Sequence, residues 1–397
     1  MNKVYNTVWN ESTGMWVVTS ELTRKGGRRP RQIRRTALAG LIAGLLLPSA
    51  PALAVDYNNE TLGSGATSSS MSLNAGDTAT DTTINSGGSQ RVSSGGSATS
   101  TTINSGGYQY VSSGGSATST TINSGGNQYV SSGGSATDTT INSGGGLRVS
   151  GGGTAVDITQ NSGGAITADT SATLSGTNIN GSFSIANGSA SNMLLENGGF
   201  LSVLNGHQAT NTTINSGGYL SVYGDGSAVD ITQNSGGAIS TDTSATLSGT
   251  NINGSFSIAG GSASNMLLEN RGQLNVNSGH QATNTIINSG GNQHISGGGS
   301  ATDTTINSAG FQYVYSGGSA TSTTINSGGY LSVYGGGTAV DITQNSGGAI
   351  DTNTYATLSG TNINGSFSIA GGSASNMLLE NGGYLNVNSG HQATNTT

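Results

Sequence analysis

No cysteine occurs in the 397 residues, so neither a disulfide framework nor a thiolate metal site holds this chain together. Proline and tryptophan are scarce and unevenly placed: Pro30, Pro48, Pro51, Trp9 and Trp16 all fall within the first 54 residues. Lysine is confined to the same stretch, at Lys3 and Lys25. Charged residues make up 7% of the chain, where an ordinary globular domain carries about 25%. Beyond residue 54 the cations are Arg91, Arg148 and Arg271 against 16 acidic groups, so residues 55–397 carry 3 − 16 = −13. That balance excludes binding to a phosphate backbone and removes nucleic acid from the partners.

The leader is chemically distinct from the rest. Residues 24–35 hold Arg24, Lys25, Arg28, Arg29, Arg31, Arg34 and Arg35, and Thr36 to Leu47 is apolar. Ala52-Leu53-Ala54 completes a signal-peptide pattern with cleavage between Ala54 and Val55. The apolar run is too short for a bilayer-spanning helix of roughly 20 residues. Ahead of it stand Met1 to Asn10 and Trp16-Val17-Val18-Thr19-Ser20-Glu21-Leu22. This segment resembles the extended signal region of large autotransporters and two-partner exoproteins of Gram-negative bacteria.

The remainder is built on a period. Thr-Thr-Ile-Asn-Ser-Gly-Gly recurs with Ile84, Ile103, Ile122 and Ile141, each 19 residues after the last. Each unit has two short stretches rich in β-branched residues, separated by two Gly-Gly corners. A larger block overlies it: Ala155 to Gln160 returns as Ala228 to Gln233 and as Ala339 to Gln344, offsets of 73 and 111. The difference, 111 − 73 = 38, is two whole units, readable as 292–310 and 311–329. Only a stack in which each unit touches its neighbours absorbs such an insertion without disturbance. Thr, Val and Ile in the stretches favour strands, and the frequent Gly and Asn would break a helix. The expected fold is therefore all-β: a right-handed parallel β-helix of 19-residue rungs after a cleaved signal peptide. Residues 1–54 form the leader, 55–81 a cap and 82–397 the repeats. Ile84, Ile103, Ile122 and Ile141 should stack as one internal ladder, and Val92, Val111, Val130 and Val149 as another. Gly pairs should supply positive-φ corners. Two large aliphatics and one Ala per rung are too little to order 19 residues, so backbone hydrogen bonds and buried Thr/Asn ladders should share the load. The chain stops inside a rung at Thr397, and the expectation is an N-terminal portion of something longer, with further passenger and any membrane barrel beyond it.

Catalytic and metal chemistry find no footing. His207, His280 and His391 occupy one position of the large block and read as copies of a structural residue; His294 stands apart. No Ser-His-carboxylate set or Gly-Asp-Ser-Gly motif is present. Gly152-Gly153-Thr154-Ala155-Val156-Asp157-Ile158 lacks the third Gly of a calcium roll. Thr99-Ser100-Thr101, Thr118-Ser119-Thr120 and Thr137-Asp138-Thr139 form a Thr-x-Thr column that reads as an ordinary solvent face. No enzyme, cofactor or metal is expected.

The unit Ile-Asn-Ser-Gly-Gly-x-Gln-x-Val-Ser-Ser-Gly-Gly-x-Ala-x-x-Thr-x resembles the 19-residue repeat of the AIDA-type self-associating autotransporter adhesins. The resemblance implies a surface-displayed adhesin and invasin that binds host epithelial cells and other copies of itself, giving autoaggregation and biofilm. It also implies covalent O-linked heptose, added by a dedicated dodecameric heptosyltransferase in the cytoplasm to serines in the short bends. Carried onto this sequence, those are Ser86, Ser105, Ser124, Ser143, Ser216, Ser289 and Ser327 of Asn-Ser-Gly-Gly, with Ser94, Ser113 and Ser132 of Ser-Ser-Gly-Gly. Gly neighbours leave such hydroxyls open to an enzyme. The alternative is a structural β-helical stalk that presents a functional region lying C-terminal to it.

Overall fold

A computed structural model describes residues 5–10, 15–20 and 53–397. The basic and apolar regions of the leader and Ala52 lie outside the described residues. Two units are present, Met1–Leu53 and Ala54–Thr397. In the first, Tyr5–Asn10 pairs antiparallel with Met15–Ser20, with Trp9 opposite Trp16 in the register.

The second unit is a β-solenoid. Its turns are joined in a 29-stranded sheet and a 15-stranded sheet. In the plain turns pairing is parallel with a constant offset of 19: Gln109 lies beside Gln90 and Gln128, and Ile103 beside Ile84 and Ile122. Alternation within strands sends every second side chain inward. Both aliphatic ladders form as the repeat demands, with Ile84, Ile103, Ile122, Ile141, Val92, Val111, Val130 and Val149 all buried.

Polar ladders complete the interior. At one corner Asn104, Asn123, Asn142 and Asn161 each donate from Nδ2 to the Oδ1 of the Asn one turn below, at 2.8–2.9 Å. Inside, Gln90, Gln109 and Gln128 are fully buried. Gln109 Nε2 donates to Gln90 Oε1 at 2.8 Å and to Thr101 Oγ1 at 3.2 Å, while its own Oε1 accepts from Thr120 Oγ1 and Gln128 Nε2. Buried amides stay this low in energy only when fully partnered.

The Thr-x-Thr column takes an unforeseen form. Ser100, Ser119, Asp138 and Asp157 have φ of +55° to +57°, a left-handed conformation that Asp tolerates better than most residues. The reversal breaks the strand alternation, so Thr99 stays exposed while Thr101 turns inward to the glutamines.

The corners correct the expectation for the Gly pairs. In Asn104-Ser105-Gly106-Gly107, only Gly106 has positive φ (+71°), and Gly107 N closes the turn on Asn104 O at 2.8 Å. Gly107 is needed for a different reason: a Cβ there would lie 2.5 Å from the Ile84 carbonyl oxygen of the preceding turn.

The first turn is longer than 19 residues, with Asp56 beside Thr78, an offset of 78 − 56 = 22, and three later turns are longer still. Thr167 pairs with Phe200, an offset of 200 − 167 = 33, because Thr173–Asn178, Gly181–Ala186 and Ser189–Ser191 fold back on one another antiparallel. The same excursion recurs at Thr246–Ser264 and Thr357–Ser375. A local signal drives it: Asn180 N donates to Asn178 Oδ1 at 2.8 Å, and Gly181 has φ +110°, which together reverse the chain. The excursion leaves Gly163 N–H without the carbonyl its equivalents find one turn on. Glu196, itself buried, supplies the acceptor at 2.6 Å and takes a second bond from Asn215 Nδ2.

Candidate functional site

The bend serines form the candidate site. All ten, Ser86, Ser94, Ser105, Ser113, Ser124, Ser132, Ser143, Ser216, Ser289 and Ser327, are exposed. Ser105 and Ser124 sit second in turns whose closing amides, Gly107 and Gly126, bond Asn104 and Asn123 at 2.8 Å. The hydroxyl-bearing carbon therefore projects from a fixed corner. Successive bends lie one turn apart, about 4.8 Å, so the serines run in two columns, one for each corner of the unit.

Glycine keeps most of the Asn-Ser-Gly-Gly column open; over Ser289 the position is Ala309, at φ +55°. A Cβ on Gly125 would lie 2.6 Å from Ser105 Oγ, and one on Gly144 the same distance from Ser124 Oγ. A side chain at the first Gly of a bend would thus press against the serine of the turn before it. Ser94 and Ser113 differ from the others in adopting positive φ themselves, +52° and +49°. That left-handed geometry costs about 1 kcal/mol for a non-glycine residue.

The histidines serve the scaffold. His207, His280 and His391 each place Nδ1 at 2.8–2.9 Å from a Thr Oγ1, of Thr170, Thr243 and Thr354 respectively. Each Thr accepts, in addition, a backbone amide from the strand end above: Leu204, Asn277 and Asn388. The repeated His is a brace where the enlarged turn rejoins the column. His294, in a plain turn, lies parallel to the Tyr313 ring at 4.8 Å with its Nδ1 3.0 Å from Tyr315 Oη, and burial lowers its pKa from the ordinary 6.5. Among the described residues no cluster of three metal-ligating side chains occurs. The arrangement offers accessible hydroxyls at fixed corners.

Two structural features escaped sequence reasoning. The Gln–Thr network was visible as a recurrent Gln at the seventh position of the plain unit (Gln90, Gln109, Gln128, Gln293 and Gln312), but only the left-handed residue at Ser100 brings Thr101 to it. The aromatic column on the outside of the 15-stranded sheet, with Tyr108, Tyr110 and Tyr129 stacked at 5.1–6.3 Å, follows from the 19-residue register and went unremarked.

Comparison with known proteins bears on this geometry. The family described as adhesin of bacterial autotransporter system, probable stalk, matches residues 66–107, 77–126, 107–164, 175–237, 248–310, 289–329, 306–365 and 359–397. The extended signal peptide of the type V secretion system matches residues 1–50. The chain is 93% identical over 410 aligned residues to autotransporter CRAC of Citrobacter rodentium (strain ICC168), covering 99% of this chain and 26% of that protein. It is 78% identical over 92 residues to the autotransporter adhesin/invasin TibA of Escherichia coli O78:H11, covering 23% of this chain and 9% of TibA. The chain thus spans about a quarter of the first of these relatives and less of the second. A solved fragment of TibA, hyper-glycosylated by TibC, is 42% identical, with coverage of 86% of this chain and 100% of the fragment and a TM-score of 0.30. The leader and the repeat match put the chain on the type V route to the surface of a Gram-negative cell, in a non-enzymatic class. With matches running from residue 66 to residue 397, the chain belongs to the AIDA-type adhesins of the bacterial autotransporter system.

Proposed function

We propose that this chain is an adhesin and invasin passenger whose bend serines carry O-linked heptose. On this reading residues 1–54 are the leader, removed between Ala54 and Val55, residues 55–81 cap the column, and residues 82–397 are the displayed repeats. A cytoplasmic dodecameric heptosyltransferase modifies the serines before export, and the displayed surface meets host epithelial cells and other copies of itself. The observation that carries the proposal is the exposure of all ten bend serines in two columns; over Ser86, Ser105, Ser124, Ser143, Ser216 and Ser327 the next bend places a Gly whose Cβ would crowd the hydroxyl. A sugar on a bend points away from the column, so modification does not interrupt the ladder inside. The sequence relation to TibA supports the same reading.

Intact mass after co-expression with and without a TibC-type transferase tests it. The mass should rise in heptose increments, and peptide mapping should place them on Ser86, Ser105, Ser124 and their equivalents. An unchanged mass overturns the glycosylation reading.

A second reading follows from the family description, which includes the word stalk: the column projects a functional region lying C-terminal to it. Deleting residues 82–153 from the full-length protein separates the two. Loss of adhesion and aggregation supports the first reading, and unchanged adhesion supports the second.

A further inference from the structure

Of the three cations of residues 55–397, Arg91 and Arg148 stand in one vertical column on the 15-stranded sheet, and Arg271 stands in a bend beside it. Reading along the 15-stranded sheet, the register places Arg91 beside Tyr110, Tyr110 beside Tyr129, Tyr129 beside Arg148, and Arg148 beside Thr167. Thr167 then meets Phe200, and Phe200 meets Tyr219. Arg271, from the bend that follows the second excursion, reaches back so that its Cζ lies 5.8 Å from the Tyr219 ring centroid. Arg91 is held likewise, 4.9 Å over Tyr110. In a segment of net charge −13 this clustering leaves one face with positive charge and aromatic rings together.

Arg148, Thr167, Phe200, Tyr219 and Arg271 line an open cleft of about 510 Å³. Phe200 and Tyr219 stack at 5.4 Å with 25° between their planes, presenting one tilted aromatic floor. The enlarged turn makes the hollow: Thr167 takes the place of a ring in the column, and the 33-residue loop sets Phe200 beyond it. An exposed guanidinium lines each side. Beside it a second hollow of about 620 Å³ adds Asp169, Asn205, His207 and Tyr223 to the same Arg148 and Phe200.

We infer that this cleft binds an acidic saccharide. The ligand chemistry follows from the two kinds of group present. Aromatic faces carry negative charge density and receive the weakly positive C–H face of a sugar ring. A guanidinium fork pairs two donors with a carboxylate or sulfate. Asp169 and Asn205 supply acceptors for sugar hydroxyls next door. A second copy of the chain is the other conceivable occupant. The hollow spans only a few turns, roughly 20 Å, and is concave, which suits one to three sugar rings, whereas a second column would meet a flat face along its whole length. The inference rests on the adhesin reading and names the chemistry that reading leaves open at the host surface.

The test uses bacteria displaying the full-length protein, with display quantified by antibody. Binding of fluorescent 3′-sialyllactose and of a heparin-derived hexasaccharide is compared with lactose, and adhesion to epithelial cells is scored separately. At least one acidic probe should bind tenfold or more tightly than lactose. R148Q with R271Q should reduce that binding at least tenfold, and R91Q should not. Tyr219→Ser, which keeps both charges, should also weaken it. Equal binding of acidic and neutral probes, or full binding by the double variant, overturns the inference while adhesion can stand. Acidic-probe binding without cell adhesion leaves the inference standing and overturns the adhesin reading. Loss of self-association by the double variant with sugar binding intact identifies the occupant as a second copy and overturns the inference.

Discussion

Gln109 Nε2 stands 2.8 Å from Gln90 Oε1, one full turn down the column, and neither side chain reaches solvent. Gln109 is bonded on both sides, whereas the next turn after Gln128 offers Leu147 in the same column. Replacing Gln109 by Leu therefore takes one of two partners from the buried amide above, Gln128 Nε2, and from the buried carbonyl below, Gln90 Oε1, leaving each with a Thr hydroxyl, at about 1 kcal/mol for each lost bond. Gln128→Leu, at the end of the ladder, breaks only the Gln–Gln bond below it, because Leu147 stands above. Urea unfolding of the displayed region should rank Gln109→Leu well below Gln128→Leu. The triple change of Gln90, Gln109 and Gln128 to Leu should cost less than three times the single change. Equal costs at the two positions would refute the ladder as the stabilising unit.

The two glycines of a bend should respond differently to Ala. Gly87 has φ +75° and open space around its missing Cβ, so Gly87→Ala costs about 1–2 kcal/mol of left-handed strain. Gly107 has no unusual φ, yet its Cβ would sit 2.5 Å from Ile84 O, and overpacking adds about 1–3 kcal/mol by forcing two turns apart. Melting curves should show Gly107→Ala losing cooperativity as well as midpoint, because the damage lies between turns. Gly87→Ala should lower the midpoint alone.

His294 makes stability pH-dependent. Burial beneath Tyr313 lowers its pKa in the folded chain below the ordinary 6.5 of an exposed imidazole, so the neutral form is favoured by folding. Its contribution is complete above pH 6.5 and is lost as pH falls through the depressed folded value. Thermal midpoints of wild type and His294→Gln, measured from pH 7.5 to 4.5, should converge at the acid end. A constant difference across that range would show that no proton is taken up on unfolding there.

Isolated pieces should not fold. A peptide covering two plain turns, 107–144, keeps its sequence but loses Gln90 and Thr101, which accept from Gln109 Nε2, and the turns that pair with both of its strand edges. Circular dichroism should show unordered chain with no cooperative melt. A sharp transition from such a peptide would mean that a single turn holds itself together.

Much of this molecule was legible from its residues alone, and the reason is stacking. When each turn lies on the one before, equivalent positions see the same surroundings, so a period of 19 declares both the pitch of the column and its two aliphatic ladders. Exposure of the bend serines was legible for the same reason, since Gly-rich corners have no second layer to bury them. The leader was legible because its chemistry is local. Tertiary structure alone decided what depends on the pairing of distant segments. The 33-residue offset between Thr167 and Phe200 creates the hollow beside Arg148, and nothing in either strand announces it. The left-handed residue at Ser100 turns Thr101 inward, a choice made by an interior amide that needs a partner and not by any propensity of Ser or Thr. Arg148 and Arg271 are 123 residues apart in the sequence (271 − 148 = 123) and line one cleft because the column folds that distance into a few turns.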